Sequence, residues 1–160
     1  MEHGPKTSVG EFATGPFRPH GRIEIWAEGN VVRLDAAGPF NREVILAMGT
    51  TWRALYSGMS EDEPFAGIVS IHHSLMASQE VLDALRDFLV ANTAEHHTSR
   101  VVAWVVPADV EGASLMMPRL ARVLTEAGRN FRTFDNEAAA EAWVREQLRE
   151  NSTRSRETGG

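Results

Sequence analysis

Apolar and polar residues alternate in two neighbouring stretches near the start of the chain, at residues 23–27 and 32–36. The segment Glu28-Gly29-Asn30 between them carries a tight-turn signal. Strict alternation is typical of a strand with one buried face, and a tight turn joins two such strands side by side. The pattern predicts an antiparallel hairpin at one side of a sheet.

Beyond the hairpin, strands and helices alternate along the chain. Apolar stretches at residues 65–71, 101–106 and 131–134 predict three more strands. Helices are predicted after Asn41, after Ser78, from about Leu115 to Ala127 and after Asp135. Asn, Ser and Asp are preferred N-caps, and Gly128 is predicted to end the third helix as a left-handed cap. The stretch at residues 101–106 has no polar position, which favours a central strand covered by helices on both faces.

The element order is therefore β-β-α-β-α-β-α-β-α, which is typical of the α/β class. It predicts one domain over residues 21–150, with a mostly parallel five-stranded sheet, an antiparallel opening hairpin and four helices. Residues 1–20 are rich in Gly and Pro and are predicted to be a flexible arm. Residues 151–160, NSTRSRETGG, are polar throughout and are predicted to be disordered.

Charge and composition exclude several classes of function. The 160-residue chain has a net charge of −6, with acidic and basic residues mixed throughout, which argues against nucleic acid and anionic membranes as partners. It has no cysteine, so disulfides, thiolate nucleophiles and Cys-ligated zinc are excluded. No apolar run is long enough to span a bilayer, and the first ten residues lack the apolar core of a secretory signal. We expect a soluble cytoplasmic protein.

The opening hairpin followed by regular strand-helix repeats resembles the STAS fold of anti-sigma-factor antagonists, the SpoIIAA-like architecture. The segments Phe131-Arg132-Thr133-Phe134-Asp135 and Glu141-Ala142-Trp143-Val144 also resemble the end of the bacterial SpoIIAA-like group that is compared with lipid-binding CRAL-TRIO domains. The resemblance covers roughly residues 21–148. It implies a non-enzymatic binding or regulatory domain that recognises a partner protein or a small apolar, lipid-like ligand.

In an open parallel sheet, ligands bind beyond the carboxyl ends of the strands. The residues that follow the strands, and that we expect to form this ligand or partner edge, are Phe40, Asn41, His72, His73, Ser74, Met76, Asp109, Met116 and Met117. Flexible methionine side chains suit an adaptable apolar pocket or partner surface, although ordinary core filling also accounts for them. No cofactor is expected, because no glycine-rich phosphate loop is present.

Members of the STAS family carry a phosphorylatable serine where the third strand meets its helix. By position, Ser74 or Ser78 corresponds to that phosphoacceptor. The segment reads His73-Ser74-Leu75-Met76-Ala77-Ser78-Gln79 and departs from the family's Asp-Ser-Ser-Gly pattern. The alternative for Ser78 is a purely structural N-cap.

Two other functions stay open from the sequence. A small hydrolase could use Ser74 as nucleophile, His72 or His73 as general base and Asp109 to orient it. No Gly-x-Ser-x-Gly turn accompanies these residues, so no residue is assigned as catalytic. Adjacent strand residues point to opposite faces, which argues against a metal site at His72-His73. A homodimer is the third hypothesis, with Trp26 on the hairpin face opposite Ile23 and Ile25.

Overall fold

The computed structural model describes residues 5–8, 21–59, 64–94 and 101–158. The strands are β1 (Thr7–Ser8), β2 (Arg22–Glu28), β3 (Val31–Ala37), β4 (Ala66–His72), β5 (Val102–Val105) and β6 (Phe131–Phe134). The helices are α1 (Arg42–Tyr56), α2 (Gln79–Ala94), α3 (Ala113–Glu126) and α4 (Glu137–Thr158). The α/β class, the opening hairpin and the four predicted helices are confirmed.

Within the described residues the sheet has six strands in the order β1-β2-β3-β4-β5-β6, rather than the five that the sequence predicted. The first three strands pair antiparallel and the remaining pairs are parallel. The additional strand comes from the predicted N-terminal arm, where Thr7 pairs with Ile25 and Ser8 with Glu24. The rest of the predicted arm lies outside the described residues, apart from residues 5 and 6.

Helices α1, α2 and α3 cover one face of the sheet, here called the inner face, and α4 covers part of the other, the outer face. Each parallel strand is added beside the one before it, so right-handed crossovers place all three connecting helices on the same side. Alternate strand residues then separate into two cores. Val32 and Trp104 belong to the inner core, whereas Ile68 and Val105 pack towards Val144 of α4.

The all-apolar strand β5 is not central, contrary to the sequence prediction. It lies between β4 and the edge strand β6. Both of its faces are nevertheless covered, because Trp104 packs into the inner core and Ala103 and Val105 into the outer one. The absence of polar residues in β5 therefore indicates that both faces of the strand are buried. A strand can be buried on both faces without lying in the middle of the sheet.

The helix ends follow local signals. Asn41 caps α1, where its Oδ1 accepts from the backbone N–H of Val44 at 3.1 Å. Helix α3 begins at Ala113, with Gly112 as N-cap in a left-handed conformation (φ 75°), and it contains Pro118. Gly128 also has a positive φ of 73°, and the N–H of Arg129 donates to the carbonyl of Leu124 at 2.9 Å. This closing turn is the predicted left-handed C-cap.

The last helix continues beyond the predicted end of the domain at residue 150 and runs to Thr158. Residues 151–158 were expected to be disordered, but they continue the helix, and the Thr153 hydroxyl donates to the backbone carbonyl of Arg149, four residues earlier, at 3.1 Å. Leu148 is the last buried apolar side chain among the described residues of α4. Neither α4 nor any other helix in the described ranges has the length and apolarity needed to cross a membrane.

Candidate functional site

The edge where the parallel strands end, the carboxyl edge, is joined by a continuous set of backbone hydrogen bonds. The N–H of Gly38 donates to the carbonyl of Ser74 at 3.0 Å, and that of Phe40 to Met76 at 3.1 Å. On the other side, the N–H of Leu75 donates to the carbonyl of Glu111 at 2.9 Å. The segment that follows β4 is therefore held between the ends of β3 and β5. A side chain at Gly38 would collide with the Ser74 carbonyl, so the sequence needs glycine there.

Ser74 is buried within this edge, with 4% of its surface exposed. Its hydroxyl donates to Oε1 of Glu111 at 3.0 Å and accepts from the backbone N–H of Met76 at 3.1 Å. Both contacts shape the loop after β4, which gives Ser74 a structural role. Ser78 is exposed, and its hydroxyl accepts from the N–H of Val81 at 3.4 Å, as expected of an N-cap of α2. The Ser78 hydroxyl is therefore accessible to a phosphorylating enzyme, whereas the Ser74 hydroxyl is not.

The residues of the hydrolase hypothesis do not form a hydrogen-bonded triad. His72 is exposed, and its Nε2 lies 3.6 Å from Oδ1 of Asp35 on the outer face. His73 is exposed and adopts a left-handed backbone conformation, with φ at 62°. Asp109 is exposed and forms no hydrogen bond or ion pair with a described residue. The Ser74 hydroxyl instead donates to Glu111, so no imidazole is in place as its general base.

The predicted apolar residues of the carboxyl edge do come together, but they lie mostly inside the fold. Met116 is 2% exposed, and Phe40, Met76 and Met117 are half-buried against the same inner core. Met76 packs its sulfur against Gly112, where a Cβ would collide with it. These side chains fill and close the carboxyl edge instead of presenting an open surface.

Behind this edge lies a cavity of about 150 Å³ between the inner face and helices α1, α2 and α3. Its floor is formed by alternate residues of β2–β5, and its roof by the apolar stripes of the three helices. Small residues stand on the floor at Ala36 and Gly67. Protein interiors contain few voids larger than a water molecule, so a cavity of this size is a distinctive feature of the molecule.

Two tryptophans of the cavity wall carry N–H groups without a partner. The Nε1 atoms of Trp52 on α1 and Trp104 on β5 are shielded from water and form no hydrogen bond in the described structure. Trp52 packs against Phe65 and edge-on against Phe88, with ring centroids 5.8 and 6.3 Å apart. Buried donors are nearly always hydrogen-bonded in folded proteins. An unpaired N–H costs about 1–3 kcal/mol.

Two further polar side chains line the cavity at the edge where the parallel strands begin, the amino edge. Asn92, near the end of α2, is 4% exposed. Arg129 follows Gly128, and its Nη2 donates to the carbonyl of Leu89 at 2.9 Å. Burial lowers the pKa of Arg129 from its ordinary value. The polar groups of the cavity thus include an amide and a guanidinium at one end, opposite the edge that the sequence pointed to.

Sequence reasoning missed Trp52, Trp104, Asn92 and Arg129 as site residues, although a signal existed for one of them. Asn92 continues the buried stripe of α2 at helical spacing after Leu85, Phe88 and Leu89. A polar residue on an apolar stripe is a reason to look for a buried polar contact. The other three give no such signal, because tryptophan is common in cores and Arg129 looks like a loop residue.

On the outer face, Trp26 is covered rather than presented to a partner. It is 7% exposed, its Nε1 donates to Glu28 at 3.0 Å, and Nζ of Lys6 lies 4.4 Å from its ring centroid. Beside it, Arg33 pairs with Glu28 at 2.7 Å and with Glu141 of α4 at 3.2 Å. The hairpin surface near Trp26 is therefore charged and already paired, and the homodimer hypothesis gains no apolar patch there.

No group of three or more His, Asp and Glu side chains within the described ranges is placed to hold a metal ion. Comparison of the chain with protein-family models, with curated proteins and with solved structures finds no match.

Proposed function

We propose that this chain is a non-enzymatic binding domain for a small apolar ligand, which occupies the cavity between the sheet and helices α1–α3. The observation that carries the proposal is the cavity itself, because its wall is apolar apart from a few polar side chains. Ligand sites in proteins combine such walls with a small number of placed polar groups. The resemblance to STAS domains points in the same direction and stays a prediction.

The cost of leaving the cavity empty argues that it has a function and is not a packing defect. Apolar side chains that line an unfilled cavity lack packing partners on one side and lose the dispersion contacts of a filled core. Larger side chains at the floor positions Ala36 and Gly67 would fill it. The two unpaired indole N–H groups add a further cost.

The cavity volume sets the size of the ligand. A cavity of about 150 Å³ is the size that takes up one benzene-sized molecule when its lining is apolar. We therefore expect a single ring or a short chain of similar volume, and we expect long lipid chains to require movement of the helices.

The direct test is thermal denaturation with toluene, a neutral probe of the expected size. Binding at ten times Kd stabilises the folded state by about 1.4 kcal/mol, which raises Tm by roughly 3–6 °C in a domain of this size. The variant Leu85→Trp fills the cavity and should abolish this rise. The matched variant Leu46→Trp changes an exposed residue of α1 outside the cavity and should retain it.

Indole N–H resonances, followed by NMR during a toluene titration of the folded protein, locate the ligand. The chain has four tryptophans, of which Trp52 and Trp104 line the cavity, whereas Trp26 and Trp143 pack on the outer face. Toluene should shift the resonances of Trp52 and Trp104 and leave the other two unchanged. A wild-type Tm that does not respond, or shifts confined to Trp26 and Trp143, would refute the proposed function.

A further inference from the structure

Arg129 differs from the other half-buried arginines of the described structure in having no carboxylate partner among the described residues. Arg33, Arg86 and Arg145 each have a glutamate oxygen within 3.2 Å. Arg129 forms no ion pair with a described residue, and its Nε is buried without a hydrogen-bond partner. One donor of its guanidinium bonds the carbonyl of Leu89, while a guanidinium has five N–H donors in all.

The fold fixes the position of this cation. Gly128 adopts a left-handed conformation, and the backbone N–H of Arg129 closes the turn on Leu124 at 2.9 Å. The side chain then extends to the last turns of α2 and lines the amino-edge end of the cavity. It is half-buried, so it stands between the apolar wall and the surface.

The electrostatics of this position favour an anion. Burial penalises the charged form of Arg129 and lowers its pKa, and no described carboxylate counteracts that penalty. Arginine nevertheless stays protonated in proteins. A buried charge is normally paired, and a guanidinium matches the planar, two-oxygen geometry of a carboxylate better than any other side chain.

We propose that the ligand of the cavity is a small monocarboxylic acid, with its carboxylate on the Arg129 guanidinium and a single ring or short chain among the apolar residues. This inference rests on the proposed function, because it assigns a chemical class to the same ligand. A neutral molecule of similar shape would bind the cavity without the contribution of Arg129.

The test compares phenylacetate with 2-phenylethanol, which has the same ring and two-carbon chain but no charge. Isothermal titration gives Kd for each probe with wild-type protein, with Arg129→Gln and with Arg122→Gln, which removes an exposed arginine of α3 outside the cavity. We expect wild-type protein and Arg122→Gln to bind phenylacetate about tenfold more tightly than the alcohol. In Arg129→Gln the two probes should bind within about twofold of each other.

A second measurement uses only wild-type protein, so that the inference can be tested even if Arg129→Gln fails to fold. Phenylacetate should shift the assigned Nε–H resonance of Arg129, and 2-phenylethanol should not. Equal wild-type affinities for the two probes, a preference that survives in Arg129→Gln, or an unmoved Arg129 resonance would each overturn the inference. Binding of the alcohol alone would leave the proposed function standing, whereas failure of both probes and of toluene would remove the proposed function as well.

Discussion

Ser74 shows how burial decides what a small polar side chain does. Its hydroxyl is shared between the Glu111 carboxylate and the Met76 backbone, and it is closed off from solvent at the carboxyl edge. A serine in that environment stabilises a loop. Its hydrogen bond to Glu111 joins two segments that are distant in sequence, and its hydrogen bond from Met76 holds the chain where it turns after β4. Ser78 lies four residues further on and is exposed.

Replacing Ser74 by alanine should therefore destabilise the fold. The change removes a buried donor and acceptor and leaves the Met76 N–H without its partner, at a cost of about 1–3 kcal/mol in the free energy of unfolding. Urea denaturation followed by circular dichroism gives this value. The control Ser114→Ala alters an exposed serine in the first turn of α3 and should stay within about 0.5 kcal/mol of wild type. A Ser74→Ala protein as stable as that control would contradict the structural role.

At the scale of single elements, the turn at Gly128 that ends α3 places Arg129 at the cavity. Gly128 has a φ of 73°, and a Cβ built there meets nothing within 4 Å. Any cost of a larger residue at this position must therefore come from the backbone conformation and not from crowding. The same turn sets where Arg129 extends.

Gly128→Ala should lower the free energy of unfolding by about 1–2 kcal/mol, because an L-residue is strained in the left-handed region. Gly58→Ala is the matched control, since Gly58 lies in a turn, has no positive φ, and its nearest neighbour to a new Cβ would be 3.6 Å away. Chemical denaturation of both variants isolates the effect of φ. Equal stability of the two would show that the cap conformation carries no strain.

Local signals in the sequence account for most of the elements. Asn41, Gly128 and the alternation at residues 23–27 and 32–36 each act over a few residues, and the helix ends and the hairpin follow from them. Strand β1 was missed because it has only two residues and exists through its pairing with β2. The end of α4 was missed because polar composition was interpreted as disorder, whereas exposed polar residues also form helical turns.

The candidate site was less predictable, because it depends on contacts between distant residues. Ser74 and Glu111 are 37 positions apart, and nothing local in either segment indicates their hydrogen bond. A cavity arises from the way three helices rest on a sheet, so Ala36 and Gly67 look like ordinary small strand residues until their neighbours are placed. The sequence named Phe40 and Met116 as residues of the carboxyl edge, and both also line the cavity beneath that edge.

At the scale of the whole molecule, charged side chains tie α4 to the outer face. Arg33 of β3 lies between Glu28 and Glu141, and Glu141 also accepts from Arg145 at 2.8 Å. Burial tends to lower the pKa of Arg33, but the hydrogen bonds and charges of Glu28 and Glu141 together outweigh it and raise that pKa. The hydrogen bond from Arg145 is the main reason that the pKa of Glu141 is lowered.

Stability should accordingly fall in acid. A carboxyl whose pKa is lower in the folded than in the unfolded state stabilises the fold above its unfolded pKa, which for Glu is about 4.3. That stabilisation is lost as pH falls through the lowered folded value. Denaturation midpoints measured from pH 7 to pH 2 should show a decrease below about pH 4, and the decrease should be smaller in Glu141→Gln. If stability below about pH 4 decreased as much in Glu141→Gln as in wild type, the ion pairs of Glu141 would not contribute to the loss of stability in acid.

The strand order has a consequence for how the molecule folds. Every pair of hydrogen-bonded strands among the described residues is also a pair of consecutive strands along the chain, although parallel partners such as Val31 and Ala66, or Gly67 and Val102, are far apart in sequence. Parallel pairs form slowly, because the long segment between two strands must close into a loop before their contacts form. During synthesis, each new strand finds its neighbour already in place. The sheet can thus grow from the hairpin outwards while the chain is still being made, and only the docking of α4 must wait for the final residues.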